Sequence, residues 1–79
     1  MEIKVLGTGC KKCEKLEQEV INALAELNVE ANLEKVTDMQ KIMEYDILMT
    51  PGVVINGNVK VFGRVPKRKE IKKWISEEL

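Results

Sequence analysis

Apolar positions along this chain change period several times, and each change marks an element. Residues 2–6, EIKVL, read as a short strand that Gly7 and Gly9 bring to an end. From about Cys10 to Asn28 the spacing becomes helical. Cys13, Leu16, Val20, Ala23, Leu24 and Leu27 share one stripe there, while Glu14, Lys15, Glu19 and Glu26 face away. Residues 30–36, EANLEKV, alternate as a half-buried strand does, with Ala31, Leu33 and Lys35 on one side and Asn32, Glu34 and Val36 on the other.

Thr37-Asp38-Met39-Gln40 has capping-box spacing, a hydroxyl followed three residues later by Gln, and predicts a short helix from there to about Tyr45. Thr50-Pro51 then interrupts. Val53-Val54-Ile55 and Asn58-Val59-Lys60-Val61-Phe62 flank Asn56-Gly57, a hairpin signal because both turn residues need positive φ. Gly63 to Val65 read as a loop, and Pro66 suits the first turn of a last helix whose apolar face carries Ile71, Trp74, Ile75 and Leu79. The predicted order is β-α-β-α-β-β-α. The first two strands flank a helical crossover, so they should pair in parallel with a right-handed connection. The expected result is an α/β fold, a four-stranded mixed sheet with helices on both faces.

Composition narrows the setting. Seventy-nine residues fit one domain over 1–79, and 44% hydrophobic with 33% charged residues suits a globule. Thirteen basic and thirteen acidic residues cancel, which leaves no global charge to draw the chain to nucleic acid or membrane. MEIKVL is neither a basic leader nor a long apolar run, so the expected compartment is the cytoplasm, and the expected state is a monomer. A late basic run, Lys60, Arg64, Lys67, Arg68, Lys69, Lys72 and Lys73, has Glu70 as its only acid. A solvated helix face explains it most simply, with a docking surface for an acidic partner as the other reading. Trp74 and Tyr45 are expected to pack rather than to contact ligands.

Both cysteines lie in Thr8-Gly9-Cys10-Lys11-Lys12-Cys13, at the start of the first helix. A structural staple, a metal clip and a cycling dithiol are the three readings. Closing so short a loop contributes roughly 2 kcal/mol in the chain-entropy model, against roughly 3 for fifteen residues, so a staple would fasten little. Zinc wants four ligands, and the chain offers two Cys and no His. Copper(I) stays open, because two soft thiolates can hold it and methionine can assist. Met39, Met43 and Met49 have a simpler expected use as fillers of irregular gaps in a core. Gly7-Thr8-Gly9 is no dinucleotide loop, since the third glycine would fall on Lys12.

For a cycling dithiol the local physics is favourable. A helix start favours negative charge through its unpaired N–H groups and dipole, and Lys11 and Lys12 add positive charge. The expectation is a lowered pKa for Cys10, an exposed attacking thiol, with Cys13 more buried on the apolar stripe as the resolving thiol.

The CxxC at a helix start, followed much later by Thr50-Pro51 before a hairpin and by a final helix, resembles the thioredoxin superfamily. The likeness is greatest to small archaeal and bacterial thioredoxin-like or glutaredoxin-like, redox-active disulfide proteins, and it covers essentially the whole chain. It implies a thioredoxin-like fold and a thiol–disulfide oxidoreductase, with Cys10 as nucleophile and Cys13 as resolving thiol. It also implies a cis Pro51 packed on the dithiol and Thr50 pairing its backbone with substrate. The implied partners are a protein carrying a disulfide and a reductase, with no organic cofactor. The chain departs from ordinary thioredoxins at Gly9, where they have Trp, and at Lys11-Lys12, where they have Gly-Pro. It also has Lys4 near the place of their buried acid. Redox potential and proton acceptor are therefore not carried over.

Overall fold

The computed structural model describes all 79 residues. Its strands are β1 (Glu2–Leu6), β2 (Asn32–Val36), β3 (Gly52–Ile55) and β4 (Asn58–Phe62), and its helices α1 (Lys11–Leu27), α2 (Met39–Met43) and α3 (Arg68–Glu77). The sheet order is β2-β1-β3-β4. β1 and β2 run parallel across the α1 crossover, whereas β3 is antiparallel to both β1 and β4. The α/β fold and element order are those expected of the sequence.

β3 is buried along its whole length, as a central strand covered on both faces must be. Its alternation divides the core. Val53 and Ile55 join Ile3 and Val5 of β1, Leu16, Val20 and Ala23 of α1, and Ile71 and Ile75 of α3. Val54 points the other way and joins Leu6, Val36, Ile42 and Ile47, with Tyr45 against them. α1 and α3 therefore cover one face and α2 the other. Trp74 packs on the edge of the larger cluster, as expected.

Several boundaries differ from the sequence reading, each for a local reason. β2 starts at Asn32, and Lys35 stays on the Leu33 side as expected, where it reaches Glu17 of α1 at 3.5 Å. α1 ends at Leu27 because Asn28 adopts a left-handed cap (φ 55°) whose N–H returns to Ala25 and Leu24. Asp38, not Thr37, caps α2, its carboxylate accepting the Gln40 N–H at 2.9 Å. That helix stops at Met43. Pro66 lies before the cap of α3 rather than in its first turn. The cap is Lys67, whose N–H is satisfied by the Glu70 carboxylate at 3.2 Å. Leu79 falls beyond the helix and is exposed. Asn56 (φ 50°) and Gly57 (φ 84°) form the expected tight turn. The sequence does not reveal the register shift in β4, where Val53 pairs with Val61 but Val54 with Val59, leaving Lys60 as the extra residue. Lys60 uses that position to meet Glu78 at 2.8 Å.

The late basic run is largely spent inside the fold. Arg68 bridges Glu19 (3.0 Å) and Glu26 (2.7 Å) of α1, and Lys72 also reaches Glu26 at 3.1 Å, pinning α3 to α1. Arg64 pairs with Glu70 at 2.8 Å. The Arg64 guanidinium and then the Lys67 N–H hold the Glu70 carboxyl at a pKa of about 2, against an ordinary value of 4.5.

Two outcomes are expected from this packing. Ile71→Ala, at a fully buried position, should lower unfolding free energy by about 2–5 kcal/mol, close to all that a core of this size supplies; urea melts would measure it. Glu70 has a depressed folded-state pKa, so its stabilisation is present above pH 4.5 and lost as the pH falls toward 2, where the unfolded chain binds the extra proton. Glu70→Gln should flatten the pH dependence of stability across that window, as measured by melts at graded pH.

Candidate active site

β1 ends by delivering Gly7 and Gly9 toward the N-terminus of α1. Gly9 turns the chain with φ 89°, a left-handed conformation that suits glycine. Cys10 is the N-cap of α1, with extended backbone angles (φ −74°, ψ 166°), and its carbonyl accepts the first helical N–H from Glu14 at 3.0 Å. Its sulfur takes the place of an ordinary capping oxygen and accepts the Cys13 N–H at 3.2 Å. One turn on, Cys13 faces the core side and is only 6% exposed, whereas Cys10 is exposed. The two Cα atoms are 5.1 Å apart and the sulfurs form a disulfide. The capping bond, the unpaired helix-start N–H groups and the dipole all act on the same sulfur, and all favour negative charge there.

Lys11 and Lys12 lie exposed between the cysteines, and neither enters an ion pair. The β1–β3 register brings the other expected residues to the same end of the sheet. Leu6 pairs with Gly52, so Gly7 and Pro51 follow opposite one another just past the ladder. The Thr50–Pro51 peptide is cis. Pro51 is fully buried, and its carbonyl accepts the Gly63 N–H at 2.8 Å. Thr50 is half-buried, and its own N–H and C=O make no loop hydrogen bond.

Two features lie beyond the sequence reading. Beside Cys13, a small cleft of about 40 Å³ is lined by Val5, Gly7, Gly9, Glu14 and Lys35, room enough for solvent to approach the buried sulfur. Beside Thr50, Met39, Met43, Leu48 and Met49 line with Ile42 and Ile47 an open groove of about 540 Å³. The methionines are thus not core fillers. Met39 is 57%, Met43 66% and Met49 61% exposed, because Ile42 and Ile47 already occupy the space beneath a five-residue helix. Ile47-Leu48-Met49, a short apolar run that fits neither a helical nor a strand period, is the available signal.

No group of three or more His, Cys, Asp or Glu side chains is arranged to hold a metal, and the two sulfurs are bonded to each other rather than free as thiolates, so the metal-carrying alternative gains no support from the site. No helix is long and apolar enough to cross a membrane.

Residues 1–76 match the family model described as "Thioredoxin domain". The chain belongs to the thioredoxin family. It is similar to a protein named thioredoxin from Methanothermobacter thermautotrophicus, 40% identical over 76 residues, 96% of this chain and 99% of that one. It is also similar to one of the same name from Methanocaldococcus jannaschii, 36% identical over 77 residues, 98% of this chain and 88% of the other. A thioredoxin-family chain with paired sulfurs at a helix start is a thiol–disulfide oxidoreductase, and the family implies disulfide substrates and a reductase partner.

The unequal exposure of the two sulfurs should be visible chemically. In the reduced protein Cys10 should react with iodoacetamide at least about tenfold faster than Cys13, as peptide mass mapping of a time course would measure.

Proposed function

We propose that Cys10 is the attacking sulfur and Cys13 the resolving one. In this reading the Cys10 thiolate attacks one sulfur of a partner's disulfide. That S–S bond breaks, its other sulfur leaves as thiolate and takes a proton, and a mixed disulfide links partner and Cys10. Cys13 gives up its proton and attacks the Cys10 sulfur. The second partner thiol departs, and the Cys10–Cys13 disulfide closes. Two electrons have passed to the partner, and a dithiol reductase returns two to the protein.

The observation that carries this assignment is the division at the helix start: the exposed Cys10 sulfur accepts the Cys13 N–H, while Cys13 itself is buried. Lys11 and Lys12 favour the Cys10 thiolate further by their charge. Thr50 offers free backbone groups to the chain that carries the disulfide, and Pro51 forms the wall opposite Gly7. The apolar groove that begins at Thr50 supports a protein substrate, because exposed patches of this kind mark surfaces that meet other macromolecules. Cytoplasmic work as a monomer is the setting we assign to it.

The test is a trapping experiment with a disulfide-bearing protein. Cys13→Ser should accumulate a mixed disulfide through Cys10, and Cys10→Ser should accumulate none. The reverse pattern would exchange the two roles. Replacing both lysines, Lys11→Glu with Lys12→Glu, should move the pH midpoint of Cys10 alkylation upward, as a rate–pH profile would measure.

A further inference from the structure

We propose that Gly7 is a positioning residue that sets the balance between the dithiol and the disulfide. Gly9, Gly57 and Gly63 each have φ between 84° and 89°, which explains their lack of a side chain by backbone conformation. Gly7 is not among the positive-φ residues, so its backbone asks nothing special of it. Space does. A Cβ built on Gly7 would overlap the Cys13 sulfur and come within 2.9 Å of the Cys13 Cβ. The backbone cannot back away cheaply, because the Gly7 N–H is held by the Val36 carbonyl at 2.9 Å and the residue is buried.

The two redox states feel this contact differently. In the disulfide the bond to Cys10 fixes where the Cys13 sulfur lies, and that place is against Gly7. In the dithiol the Cys13 side chain is free to turn to another staggered rotamer. The Cβ–Cβ approach burdens both states, whereas the overlap with sulfur burdens the disulfide alone. A hydrogen at position 7 therefore favours the closed disulfide, and with it a reducing protein. This inference rests on the cycling of Cys10 and Cys13 proposed above.

The test equilibrates oxidised Gly7→Ala with reduced wild-type protein under exclusion of air. The variant's S–S bond breaks, the wild-type S–S bond forms, and two electrons and two protons pass to the variant. No other reductant is needed. Alkylation and mass measurement then give the four populations. The expected equilibrium constant favours wild-type disulfide by about tenfold or more, equivalent to a variant potential about 30 mV higher. A folded variant with a constant within about twofold of unity would overturn the proposal. If the variant does not fold, the Gly7→Ala, Cys13→Ala pair decides: recovery of the Cys13→Ala melt supports the sulfur contact, and equal failure overturns it. Wild-type protein titrated alone separates the two readings. If it forms no reversible disulfide, both fail, whereas a cycling wild type with an unshifted variant removes only the role of Gly7.

Discussion

Antiparallel pairing of β1 with β3 places Leu6 opposite Gly52, and the site follows from that register. One step further along each strand come Gly7 and Pro51, so two segments over forty positions apart in sequence meet at one end of the sheet. β3 is held there by burial on both faces, with Val53 and Ile55 in one core cluster and Val54 in the other. A slip of one residue would exchange these faces, so the hydrophobic pattern that stabilises the sheet also fixes which residue of β3's approach comes opposite Gly7.

The larger cluster does a second job. Leu16, Val20 and Ala23 anchor α1 against the sheet, which turns its first-turn residue Cys13 inward and leaves the cap residue Cys10 outside. The unequal exposure of two identical side chains thus comes from helix phase. α3 secures the same helix from behind through Ile71, Ile75 and the Arg68 bridge to Glu19 and Glu26. Lys72 joins that bridge at Glu26, while Lys60 and Arg64 are paired elsewhere, with Glu78 and Glu70.

Much of this was legible in the sequence, because the period changes were sharp and the turn chemistry explicit. The α1 stripe from Cys13 to Leu27 and the Asn56-Gly57 turn correspond to what formed. Cys10 and Cys13 could be placed at a helix start from spacing alone, whereas the cis Thr50–Pro51 peptide came only through family resemblance. The misreadings share a cause. Thr37 against Asp38 as cap, Pro66 inside or outside α3, and the end of α2 were decided by which polar group reached which N–H. The exposed methionines were misjudged because composition does not say that Ile42 and Ile47 fill the space first. The contact between Gly7 and the Cys13 sulfur leaves no mark in the sequence, since it depends on a missing atom.

The measurement that bears most directly on the account is a redox titration of the wild-type protein. Samples equilibrated at graded ratios of reduced to oxidised dithiothreitol, then alkylated and weighed, give the number of free thiols at each potential. The expected result is one reversible two-electron transition in which Cys10 and Cys13 gain or lose their labels together. Independent labelling of the two, or no reversible disulfide at any ratio, would contradict the claim that this helix start is a working thiol–disulfide pair.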